Sequence, residues 1–141
     1  MDAPEHYLLQ EGRACYRPIG TVRFAEAAAL ITRAIAVARE QQADDVLVDT
    51  TGLTGFAPPG TVERYLAVTQ WAHEARGRLR LAIVARRDMI DPQKFGVTVA
   101  ANRGLVSDIF DTEADARAWL DAWRTRDRAW PLRVPQPDGR A

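Results

Sequence analysis

One cysteine (Cys15), one lysine (Lys94), one serine (Ser107), one asparagine (Asn102) and two histidines (His6, His73) are spread over 141 residues. A single cysteine excludes an intramolecular disulfide, CxxC redox chemistry and a thiolate zinc cage. Cys15 sits in Arg13-Ala-Cys-Tyr16 without a neighbouring histidine to activate it, so it reads as core. A serine nucleophile would have to be Ser107, yet Gly104-Leu-Val-Ser-Asp108 is not GxSxG. A Schiff-base or phosphate-binding lysine would have to be Lys94. His6 and His73 offer neither HxxxH nor HExxH spacing, so no metal and no cofactor are expected. Long apolar runs are also missing. The longest stretch without a charged side chain, Thr50 to Val62, contains glycines and prolines and falls well short of the ~20 apolar residues of a membrane-spanning helix. The acidic start Met1-Asp-Ala-Pro-Glu5 leads into no apolar signal region, which makes the cytoplasm the expected location.

Basic and acidic residues balance at 19 each, so there is no global field to attract nucleic acid. All but one of the basic residues are arginine. They are uneven along the chain: residues 76–141 are net basic and residues 1–75 net acidic, with Arg76, Arg78, Arg80, Arg86 and Arg87 bracketing one expected strand. Such a cluster suits phosphate, an acidic lipid or an acidic partner, while its bland reading is a solvated face. No aromatic-basic stacking pattern accompanies it, which argues against nucleic acid.

At 47% hydrophobic residues the chain has the size and composition of one globular domain. Two strand-like runs flank Glu11-Gly12, a hairpin signal. Thr21 or a neighbour is the expected cap, and after it Leu30, Ile31, Ala34, Ile35 and Ala38 repeat at helical spacing. Asp45-Val-Leu-Val-Asp49 reads as a strand, followed by a long loop and a helix from Thr61, with Val62, Tyr65, Leu66, Thr69 and Ala72 as its buried stripe. Leu79 to Ala85 is the next strand. Asp91-Pro92 predicts a helix start, with proline at the first helical position and the helix running to Arg103. Val106 to Phe110 is the last strand, and Asp111-Thr112 caps a helix carrying Ala116, Trp119, Leu120 and Trp123. The expected order is ββαβαβαβα: an α/β fold with a mostly parallel sheet, an opening antiparallel hairpin and right-handed crossovers. Residues 1–124 form the expected domain, and 125–141 a proline- and arginine-rich tail that Trp130 could tether.

This order, with Val48-Asp-Thr-Thr-Gly-Leu-Thr-Gly55, Asn102-Arg103-Gly104 and Ala118-Trp119-Leu120, resembles the SpoIIAA-like superfamily over about residues 5–124. That group includes STAS domains and small STAS/SEC14-like proteins. The resemblance implies their right-handed β-α superhelix. Phosphorylatable STAS regulators carry an Asp-Ser-Ser-Gly or Asp-Ser-Thr-Gly switch before the second helix. The comparable stretch here, Ala57-Pro-Pro-Gly-Thr61, lacks the switch hydroxyl and the preceding aspartate. The resemblance therefore implies the scaffold without that chemistry.

The candidate site is the edge formed by Asp49, Thr50, Thr51, Gly52, Thr54, Gly55, Gly60 and Thr61, with Arg86 and Arg87 supplying charge. A loop between strand and helix offers N–H and hydroxyl groups to a ligand or partner. Its bland reading is a structural turn with Thr61 as helix cap and Asp49 accepting backbone N–H groups. Asp49 as a phospho-receiver lacks the required acidic pair and lysine. The expected function is a non-enzymatic STAS-like module binding a protein or small ligand at that loop. The alternative is a small lipid or apolar-anion carrier of the SEC14-like type, and the third reading is an enzyme whose site is not legible. Homodimerisation stays open.

Overall fold

The computed structural model describes residues 2–133. Glu11 and Gly12 both take positive φ (52° and 80°), the conformation of a two-residue turn matched to the twist of its flanking strands. They join β1 (Tyr7–Gln10) antiparallel to β2 (Arg13–Tyr16). Next come β3 (Gly20–Thr21), α1 (Phe24–Glu40), β4 (Asp45–Asp49), β5 (Leu53–Thr54), α2 (Thr61–Ala75), β6 (Arg80–Val84), α3 (Phe95–Asn102), β7 (Ser107–Phe110) and α4 (Glu113–Arg133). The main sheet has the order β1-β2-β4-β6-β7, parallel apart from the hairpin. The expected α/β class and alternating order are present.

Strand periodicity separates two cores. Ala14, Tyr16, Val46, Val48 and Leu81 face α1, α2 and α3, whereas Cys15, Leu47, Ala82 and Val84 face Ala116 and Leu120 of α4. Cys15 is buried, as its context suggested.

Several local expectations are corrected. Thr21 caps nothing: it lies in β3, and Arg23 occupies the α1 cap position, its N–H donating to Glu26 at 2.9 Å. Gly60 rather than Thr61 is the α2 cap, its N–H likewise donating to Glu63 at 2.9 Å. Helix α3 begins at Phe95, not at Pro92, because residues 91–94 close a turn and Lys94 takes φ 51°. Asp91 still serves this helix, accepting from the N–H of Phe95 at 2.9 Å.

The expected stripe of α2 is rotated, with Ala72 its one buried member. Val62 (71% exposed), Leu66 (62%) and Tyr65 face outward, and the buried residues are Ala67, Val68, Trp71, Ala72 and Ala75. Trp71 is the largest apolar side chain of the helix and must bury most of its ring. It does so with its indole N–H donating to the Ala28 carbonyl at 3.1 Å, which sets the rotation of α2 against α1.

Helix α4 continues through position 125, where a tail was expected to begin. Arg80 holds this extension, donating to both carboxylate oxygens of Asp127 and stacking 4.3 Å from the Trp123 ring centroid. Residues 134–141 and the side chain of Trp130 lie outside the described residues.

Asp45, 2% exposed, joins the sheet to α4. It accepts from Arg13 at 2.8 and 3.3 Å and from Arg124 at 2.9 and 3.1 Å, and Arg13 reaches on to Asp121 at 2.8 Å. Removing one partner of a buried ion pair strands the others. Asp45→Ala should therefore lower unfolding free energy by about 3–5 kcal/mol, whereas Asp127→Ala, at an exposed pair, should cost less than about 1 kcal/mol. Urea denaturation of both variants checks this, and equal losses would refute the ranking.

Candidate functional site

The loop between β4 and α2 is shaped by backbone pairing. β3 and β5 form a two-residue parallel ladder, extended by the Gly20 N–H on the Gly52 carbonyl (3.1 Å) and the Val22 N–H on the Thr54 carbonyl (2.8 Å). Glycine makes this approach feasible. A Cβ on Gly55, at φ 105°, would lie 2.6 Å from the Val22 carbonyl oxygen, and one on Gly52 would lie 3.0 Å from that of Pro18. Both glycines thus have a packing role.

The hydroxyls of Thr50, Thr51 and Thr54 are also hydrogen-bonded within the chain, those of Thr51 and Thr54 at the surface. Thr50 Oγ1 donates to the Val84 carbonyl at 2.8 Å, Thr51 Oγ1 donates to Asp49 at 2.6 Å, and Thr54 Oγ1 lies 3.1 Å from Thr21 Oγ1. The Thr51 N–H also donates to Asp49, at 2.9 Å, as the turn reading anticipated. Thr61 is exposed at the first position of α2. Arg87, with its side chain 88% exposed, leaves the edge to bind Asp111 at 2.7 and 3.1 Å. The ten sequence candidates therefore do not converge on one surface.

What lies beneath the loop is a cavity of about 130 Å³ between the sheet and α1, α2 and α3. Its walls are mainly apolar: Phe24 and Ile31 from α1, Val68 and Trp71 from α2, and Leu81 and Ile83 from β6. Phe56 and Pro59 of the loop and Met89 after β6 complete the lining, with the Phe56 and Phe24 rings in edge contact at 5.8 Å. Thr50 and Arg86 are the sequence candidates that reach it.

Charged residues border this space. Arg86 donates to the Leu53 carbonyl at 3.2 Å and lies 3.5 Å from Asp88. Arg64 donates to the carbonyls of Pro59 (3.0 Å) and Met89 (3.4 Å), joining the loop to the segment after β6. Lys94 binds Asp108 at 2.7 Å. Asp91 is held below the usual carboxylate range by the Phe95 and Gln93 N–H groups. Arg64, Trp71 and Lys94 were absent from the sequence candidates. A signal for Arg64 existed, because it lies at helical spacing from Ala67, Val68 and Trp71 and so belongs to the inward face of α2.

Asp49 belongs to a different place. It follows Leu47 on the α4 face and meets Glu113, to which Arg17 donates twice, at 2.8 and 2.9 Å. Arg17 holds the Glu113 carboxyl down to about 2, helped by a hydrogen bond from Asp49. Burial, then donation to Glu113, raises Asp49. Of the two acids, Asp49 is pushed up and Glu113 held down.

No described group of three or more histidines, cysteines and acids could hold a metal ion, and no described helix is long and apolar enough to cross a membrane. The chain matches no protein-family model, no curated protein and no solved structure.

A lowered carboxyl pKa stabilises the fold above its unfolded value, and that contribution is lost as pH falls through the folded one. The Arg17–Glu113 pair should therefore lose its contribution between about 4.5 and about 2. Asp49 acts in the opposite sense, its protonated form favouring the fold until pH rises through its raised value. Carboxyl NMR titration should find Glu113 ionised far below its ordinary range, and Arg17→Met should move its midpoint upward. A midpoint unchanged by that substitution would refute the assignment to Arg17.

Proposed function

We propose that this chain is a non-catalytic binding module of SpoIIAA-like, STAS-type architecture whose ligand is a small apolar molecule held beneath the loop of residues 50–60. The mixed sheet and alternating element order support the architecture. The cavity carries the functional reading. Apolar walls of this kind admit apolar guests; an engineered cavity of about 150 Å³ in another protein takes up benzene. A volume of about 130 Å³ therefore suits a single ring or a short branched chain. It is too small to enclose a lipid, so of the carrier alternative only a compact ligand is retained.

The chemistry at the walls favours binding over turnover. Ser107 and Lys94 both line the cavity, but Ser107 makes no side-chain hydrogen bond among the described residues and Lys94 is committed to Asp108. A serine without a base to take its proton is a weak nucleophile. Of the loop hydroxyls, those of Thr50, Thr51 and Thr54 already bond to Val84, Asp49 and Thr21. Recognition in this reading falls to the apolar walls and the bordering cations.

A second reading rests on the outward face of α2, where Val62 and Leu66 remain exposed beside the loop. Such residues suit an apolar protein contact. It predicts that Leu66→Asp abolishes a partner interaction without affecting cavity occupancy.

Fluorobenzene observed by ¹⁹F NMR tests the principal reading. Its line should broaden in the presence of the protein and recover with Ile83→Phe, which enlarges a side chain lining the cavity. Circular dichroism must show that this variant is folded. An unbroadened line with the unsubstituted protein at millimolar fluorobenzene would sink the reading.

A further inference from the structure

Charge at the cavity border narrows the ligand class; this inference rests on the apolar-cavity reading. Five ionisable side chains line the space: Arg64, Arg86, Lys94, Asp91 and Asp108. Their compensation is unequal. Lys94 and Asp108 neutralise each other at 2.7 Å. The Asp91 carboxylate is spent on the N–H groups of Gln93 and Phe95 at 3.2 and 2.9 Å. Arg86 has a looser contact, 3.5 Å to an exposed Asp88. Arg64 has no carboxylate partner among the described residues, and its hydrogen bonds go only to the carbonyls of Pro59 and Met89.

Arg64 is thus a partly buried guanidinium that hydrogen-bonds only carbonyls; Asp91, whose carboxylate its charge helps hold down, acts on it without forming a salt bridge. Its Nη1 carries no protein hydrogen bond, and a guanidinium fork is built to bind a carboxylate through two parallel N–H groups. Charge in a part-buried apolar wall costs free energy unless it is paired, and an anionic ligand would supply the missing partner.

The geometry points to a small monocarboxylate as the ligand, its single ring or short branched chain in the apolar cavity and its carboxylate on Arg64, with Arg86 adding positive charge beside it. A neutral ring would fill the same space but leave Arg64 without a directly paired carboxylate. A cation would meet like charge.

Benzoate, its neutral isostere benzamide and the cation benzylammonium separate these cases. Each is titrated into the full chain at pH 7 and low salt, following the Trp71 indole N–H resonance as the reporter inside the cavity. Benzoate should bind at least about tenfold more tightly than benzamide, a difference of about 1.4 kcal/mol, and benzylammonium more weakly than either. Added salt should narrow the gap. Arg64→Met should abolish the preference for benzoate over benzamide. Arg87→Met, which removes a charge outside the cavity, should preserve it.

Equal affinity for benzoate and benzamide, or tighter binding of benzylammonium, would overturn the carboxylate assignment while leaving apolar uptake intact. Those comparisons use the unsubstituted protein and stand even if Arg64→Met fails to fold. Inorganic phosphate reproducing the benzoate shifts at equal concentration would overturn the ligand class. Failure of all three ring probes, together with no fluorobenzene broadening, would remove the cavity reading and this inference together.

Discussion

The order in which the chain lays down its strands constrains everything above the sheet. From β2 through β4 and β6 to β7 each new parallel strand is added on the same side of the previous one. Crossovers of one hand then deliver every connecting element to the same face. Helices α1, α2 and α3 share that face, while α4, which follows the last strand and connects to no further one, covers the other. Three helices and their connections crowd one side, and the two sides meet different chemistry.

The cavity follows from how that crowded side is closed. A chain leaving β4 could turn directly into α2, but the β3–β5 pairing first draws residues 52–54 toward residues 20–22. The chain must then return to Gly60, passing Phe56 and Pro59 over the helices. Trp71 fixes how far α2 rotates through its bond to Ala28, and this turns Arg64 toward the same space while leaving Val62 and Leu66 outside. Two local events, a two-residue ladder and one indole hydrogen bond, thus decide which side chains line the cavity.

Much of the scaffold was legible because it rests on local chemistry. Glu11-Gly12 specifies its turn by φ, the β-branched run at Asp45–Asp49 specifies its strand, and the α1 stripe is dense enough to fix its buried face. The β3–β5 ladder was not legible, since two residues carry no periodicity and their pairing depends on backbone approach between distant segments. The rotation of α2 was misjudged by weighting Val62 and Leu66 above Trp71 and small alanines, although close helix packing favours the latter. The same misjudgement concealed Arg64. The end of α4 was misplaced because Asp127 and Trp123 find their common partner Arg80 in a distant strand. Of the sequence candidates, Thr50, named for following a strand, and Arg86, named for its charge, are the two that line the cavity.

The end of β4 shows why the loop residues do not act as one surface. Side chains alternate along a strand, so Asp49 and Thr50 leave it toward opposite faces. Thr50 lines an apolar space bordered by guanidinium groups, whereas Asp49 joins Glu113 and Arg17 beside α4. The carboxyl pair is thereby kept on the far side of the sheet from Arg64. Had Asp49 and Thr50 exchanged places, a further carboxylate would enter a wall that already holds Asp91 and Asp108, and the positive border of the cavity would be offset. Strand register thus keeps the Asp49 carboxyl out of the cavity wall, and the anion preference inferred for the cavity depends in part on that phase.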